Sequence, residues 1–184
     1  MKKKYLFLGI FFYVCSVFYL AATTPISPHE AKIFYTSEDI IATFLHWGNA
    51  LVGGFLGLRI FFIFLGFITI ALFYELSKRY FNKKEDAYLS TVIFMFLPGI
   101  LTASTLANVA ILVLPLVLFF VLMYEKRSFW ILPFVMLALF FIHEASIIFF
   151  VALFIYALVY KDKKLGIFSL AFLIAFVYLA KGIE

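Results

Sequence analysis

The chain has 184 residues, 66% of them hydrophobic and 14% charged, with a net charge of +5 and a mean hydropathy of +1.13. Soluble domains are closer to half apolar, so there is too little polar surface here to cover a water-soluble body, and the chain reads as an integral membrane protein. The positive balance does not point to nucleic acid, because the charges sit in short clusters between apolar stretches, where they act as topology signals and attract anionic lipid.

Seven apolar spans can be read in order. The first is Tyr5 to Ala22, long enough to cross a bilayer. It follows a Lys2–Lys4 cluster and reads as a retained signal anchor. It holds the single cysteine, Cys15, which cannot form an internal disulfide and serves as small apolar filler.

A long loop from Thr23 to about Gly57 follows. In it, Ser27-Pro28-His29-Glu30 reads as a capping box with Pro at the first helical position, so a short helix should run from Pro28 to about Tyr35. Thr36-Ser37-Glu38-Asp39 repeats the capping pattern. Ile40, Phe44, Trp47, Leu51 and Phe55 then recur at helical spacing, with Asp39, Thr43, His46 and Asn49 on the other side. That pattern describes an amphipathic helix lying in the membrane interface. Gly48, Gly53, Gly54 and Gly57 allow a bend into the second span.

Span two runs from near Leu58 to Leu76, span three from Ala87 to Ala103 and span four from about Leu106 to Tyr124. Pro98 and Pro115 should bend or break spans three and four, which neighbouring helices can tolerate. Spans five (Phe129 to Ile142) and six (Ala145 to Tyr160) are short, a length that also suits a hairpin that does not fully cross. Span seven is Leu165 to Ala180. The expected fold is therefore all-α, a single-domain polytopic helix bundle of about seven transmembrane helices. A long outer loop with interfacial helices follows the first.

Laid alternately through a bilayer, these spans put all 15 Lys/Arg but Lys32, Arg59 and Lys181 on one side. The positive-inside rule makes that side cytoplasmic. The N-terminus is then inside, the C-terminus outside, and His29, His46 and His143 all lie with the outer loops.

The residues able to carry chemistry gather on that outer side. His29 and Glu30 supply a candidate base, although Glu30 also closes the capping box. Lys32, three residues beyond His29, can face the same site. Arg59 stands near the outer mouth of span two, and a charge within a span tends to face a polar cavity or the protein interior. Its fork suits a phosphate. His46 and Asn108 are candidate substrate contacts, Asn108 being also a candidate cap. His143-Glu144, at the tip of the short hairpin, repeats His29-Glu30 as HEASI against HEAKI. A divalent metal shared by the two pairs stays open, but neither stretch is HExxH, since Ile33 and Ile147 stand at the fifth place. No P-loop, GxGxxG, GxSxG or CxxC is present.

In layout the chain resembles the N-terminal membrane module of GT-C-fold glycosyltransferases of the protein-mannosyltransferase and aminoarabinose-transferase type. The matching pieces are PHEAKIFY, GLRIFFIFLGFITIALFYELSKRYF, STVIFMFLPGILTASTLANVAIL and FFIHEASIIFF. The family's loop motif usually begins Asp-Glu, where this chain has His29-Glu30, and a second Asp often precedes the fourth span, where it has Asn108-Val109. The resemblance implies a module using a polyprenyl-phosphate-linked sugar at the outer face of a bacterial-type inner membrane. Arg59 and Lys32 would hold the lipid phosphate and His29 or Glu30 would act as base, with no cofactor needed. The altered aspartates favour a second reading, a non-catalytic membrane subunit that binds a lipid phosphate or a partner membrane protein. A small transporter or flippase is the third, opposed by the scarcity of ionisable groups deep in the spans.

Overall fold

The computed structural model describes residues 3–36, 40–107, 110–142 and 146–181. Among these the chain is all-α, with ten helices and no strand. They divide into two compact units, Met1–Leu118 and Phe119–Glu184.

In the first unit, α1 (Lys3–Thr23) is apolar on every side. It buries a stripe at helical spacing, Leu6, Gly9, Tyr13, Val17 and Ala21, and exposes Phe7, Leu8, Phe11 and Phe12. A helix that is hydrophobic all round suits a lipid surrounding. The short helix α2 (Pro28–Thr36) begins at the expected proline. The second capping pattern, at Ser37 to Asp39, lies outside the described residues.

The next helix, α3 (Ile40–Val52), differs from expectation in having two apolar faces. Ile41, Ala42 and Leu45 are buried, while Trp47, Leu51 and Val52 are exposed. The chain then turns at Gly53 and Gly54, whose φ values of 77° and 62° cost a glycine little. The long helix α4 (Gly54–Tyr80) follows at once. Its 27 residues reach about 40 Å at 1.5 Å per residue.

The third expected span is broken as Pro98 suggested: α5 (Lys84–Met95) and α6 (Pro98–Thr105) are bent by 60°. The helix α7 (Ala110–Glu125) carries Pro115 inside it and contains the division between the units. The second unit adds α8 (Leu132–Ile142), α9 (Ser146–Tyr160) and α10 (Lys163–Lys181). Its interior is aromatic, with Phe150 stacked on Phe172 at 5.4 Å and Phe140 edge-on to Phe176 at 5.5 Å.

The seven-span expectation is met only in coarse form. Among the described residues two helices, α1 and α4, are long and apolar enough to cross a membrane, or three if the bent α5–α6 pair is one span. Helices α7, α8 and α9 are apolar but shorter. The 11 residues of α8 reach only about 16 Å of a roughly 30 Å hydrocarbon core.

Small residues set the helix spacing in the first unit, as they do where packing rather than water exclusion holds helices together. Gly66 of α4 lies against Ser104 of α6, whose hydroxyl accepts a 2.8 Å hydrogen bond from Tyr13 of α1. Gly48 of α3 lies against Gly57 of α4, so closely that a Cβ added at Gly48 would collide with the Gly57 carbonyl oxygen. Gly48→Ala is therefore expected to destabilise the protein by about 1–3 kcal/mol, the usual cost of overpacking, outweighing the ~1 kcal/mol helix preference for Ala. Thermal unfolding in detergent measures it. Gly99→Ala is the control, because nothing lies within 4 Å of a Cβ there. Equal behaviour of the two variants would show that the α3–α4 approach is not limiting.

Candidate functional site

Two buried charged residues, Arg59 and Glu30, bond each other. Their side chains are 0% and 4% exposed. The pairing starts from local sequence. Ser27 and Glu30 form the expected capping box: the Glu30 N–H donates to Ser27 Oγ (3.1 Å), and the Ser27 N–H donates to Glu30 Oε2 (2.9 Å). This fixes the glutamate against the start of α2. One turn into α4, Arg59 points at the same place. Its Nε donates to Glu30 Oε1 at 2.9 Å and its Nη2 to Glu30 Oε2 at 2.8 Å, a two-pronged fork.

The rest of the guanidinium caps α1. Nη1 donates to the carbonyl oxygens of Ala21 (3.0 Å) and Thr24 (2.8 Å), and Nη2 to that of Pro25 (3.0 Å). Carbonyls at a helix C-terminus lack partners within the helix and favour a nearby cation. The far side of Glu30 caps another element: the Ala107 N–H, just past α6, donates to Oε1 at 2.9 Å. Four segments of the chain thus meet at one ion pair.

The network is closed. An arginine has five N–H donors and an ionised carboxylate about four acceptor sites. All five donors of Arg59 and all four sites of Glu30 are occupied by protein groups. Burial pushes the Glu30 carboxyl upward, but the Arg59 hydrogen bonds, the Ala107 and Ser27 N–H groups and the Arg59 charge outweigh it and hold the pKa at about 2. Chemically the arrangement does one thing well: it ties α1, α2, α4 and α6 together. No guanidinium donor remains for a phosphate and no carboxylate lone pair remains for a proton.

The other sequence-derived candidates fall in different places. Lys32 is exposed on α2 and His46 is exposed on α3. The two helices meet where the His46 ring lies over Phe34, centroids 4.3 Å apart and planes 31° from parallel. His29 belongs to the first turn of α2, and its side chain lies outside what is described. Asn108, His143 and Glu144 also lie outside the described residues. Among the described residues no three His, Cys, Asp or Glu side chains gather to hold a metal ion.

One polar cluster went unread in the sequence. In the second unit, Asp162 accepts a 2.8 Å hydrogen bond from the Tyr124 hydroxyl and caps α10 through the N–H groups of Lys164 and Leu165, both at 3.1 Å. An Asp immediately before α10, three residues ahead of its apolar run, is the available cap signal. No protein-family model, curated protein or solved structure matches the chain.

Proposed function

We propose that the chain is a GT-C-like membrane module that holds a polyprenyl-phosphate-linked sugar at the outer face of a bacterial-type inner membrane. In this reading its apolar stretches form about seven membrane segments from a cytoplasmic N-terminus, with the short α8–α9 pair as a hairpin that does not fully cross. The observation that supports it is the fixed position of α2. A short helix bearing His29 and Lys32 is clamped between two span-length helices by the Arg59–Glu30 pair, and a rigid support is what a binding constellation needs. Arg59 and Glu30 then form the floor of the site rather than its working surface. The phosphate falls to Lys32, with His46, Asn108, His143 and Glu144 as further contacts. The base is His29, an imidazole able to accept a proton from an acceptor hydroxyl.

The closed network also favours the second reading, a non-enzymatic subunit that binds the lipid carrier alongside a partner membrane protein. A carboxylate held at about 2 with every lone pair engaged is a poor general base. One experiment separates the two. The purified protein in nanodiscs is given a polyprenyl-phosphate sugar, and donor binding and sugar release are both followed. Binding and turnover, with His29→Ala losing turnover alone and Lys32→Ala weakening binding a few-fold, support the enzyme. Binding without turnover supports the subunit. Absence of binding rejects both.

A further inference from the structure

The second unit contains a groove that the proposed function does not use. It lies between α9 and α10 and has a volume of about 480 Å³, within the range of small-molecule sites. Its wall is apolar, formed in part by Leu158, Gly166, Ile167 and Leu170, and its mouth carries Lys161, Asp162 and Lys163. Gly166 faces the Ala157 methyl, 3.6 Å from where a Cβ would stand, so α9 and α10 approach closely at the base of the groove. Leu158, Ile167 and Leu170 are exposed in the protein alone, as are both lysines.

The turn at the mouth is unusual. The Asp162 N–H bonds back to the Ala157 carbonyl at 3.0 Å, the long bond of a Schellman helix end. The left-handed position of that motif is normally glycine. Here it is Lys161, at φ 55°, a conformation that costs a side chain roughly 1–2 kcal/mol. A cation is thus held at the groove mouth where a glycine would relieve the backbone. The acid between them, Asp162, also lines the groove, but its carboxylate is engaged by the Tyr124 hydroxyl and the α10 N–H groups, so the mouth carries two lysine charges against one bonded carboxylate.

We propose that this groove binds one two-tailed anionic phospholipid, with its phosphate at Lys161 and Lys163 and one acyl chain along Leu158, Gly166, Ile167 and Leu170. The apolar slot excludes a soluble anion as its natural occupant, and the paired lysines select against a zwitterionic lipid. Basic pockets between membrane helices recognise anionic headgroups in this way. The site uses no residue of α1 to α4, so it stands independently of the sugar-donor reading.

The test uses phosphatidylglycerol with a photoreactive acyl tail, added to the full-length protein in neutral-lipid nanodiscs, with crosslinks mapped by peptide mass spectrometry. Labels are expected on α9 and α10, competed by unlabelled phosphatidylglycerol and not by phosphatidylcholine. Lys161→Gly with Lys163→Gln should lower the apparent affinity roughly tenfold to thirtyfold. The Lys161→Gly change alone should raise thermal stability while weakening labelling, a split that a purely structural lysine would not give. Gly166→Leu should block the slot, and Lys83→Gln with Lys84→Gln should leave α9–α10 labelling unchanged. Labels spread evenly over the apolar surface, equal competition by phosphatidylcholine, or full labelling of the lysine variant would overturn the proposal. So would a polyprenyl phosphate that displaces the label better than phosphatidylglycerol, because the groove would then belong to the carrier lipid.

Discussion

Arg59→Ala is expected to destabilise the protein by about 3–5 kcal/mol, the usual result of removing one partner from a buried ion pair. The size follows from what is left behind. Glu30 stays buried without its counter-charge, and the carbonyls of Ala21, Thr24 and Pro25 lose their donors. Arg59→Lys should recover only part, since an ammonium has three donors and no planar fork. A double change, Arg59→Met with Glu30→Leu, should cost less than Arg59→Ala alone, because no charge is stranded. The internal comparison is Lys78–Glu75, an ion pair at 2.7 Å whose side chains are 40% and 52% exposed. Exposed pairs contribute about 0–1 kcal/mol, so Lys78→Ala should be nearly silent. Unfolding midpoints in detergent measure all four variants, and an Arg59→Ala midpoint no lower than that of Lys78→Ala would mean the network does not hold the fold.

Acid should weaken the same lock. The Glu30 carboxyl is lowered from 4.5 to about 2 in the folded protein. A lowered carboxyl contributes stability that is fully present above its unfolded pKa and is lost as pH falls through the folded one. The window is therefore pH 4.5 down to about 2, and the loss amounts to roughly 3 kcal/mol at 1.36 kcal/mol per unit. Glu30→Gln should remove this part of the acid sensitivity. It should also lower stability at neutral pH, because the amide presents N–H donors to groups that are themselves donors. A wild-type and a Glu30→Gln protein with parallel pH profiles between 5 and 2 would show that Glu30 does not titrate in that window.

Local rules were legible in the sequence. The start of α2 at Pro28, the Ser27–Glu30 box and the break at Pro98 each follow from residues a few positions apart. So do the ends of α9 and α10, which fall within two residues of the expected spans. The face of α1 that packs was not legible, because Phe7 and Phe11 outside are as apolar as Leu6 and Val17 inside. The same ambiguity hid the second apolar face of α3. Arg59 and Glu30 were both singled out, but as working groups. Their pairing depends on a contact between residues 29 positions apart, which no local pattern encodes. The energetic rule that a charge within a span needs a partner pointed the right way. Its natural partners were the few acids assigned to the same side, Glu30, Glu38, Asp39, Glu144 and Glu184.

The closed network also sets an order of events during synthesis. Its first three segments, ending with Arg59, leave the ribosome early, but the last donor, Ala107, lies 77 residues after Glu30. At about 5–20 residues per second, that is a wait of roughly 4–15 s after Glu30 is made. Until then one carboxylate site has no protein donor, and α1, α2 and α4 are joined without their fourth member. A nascent chain stalled within α5 or α6 therefore holds a complete Arg59–Glu30 pair with one buried carboxylate site still open.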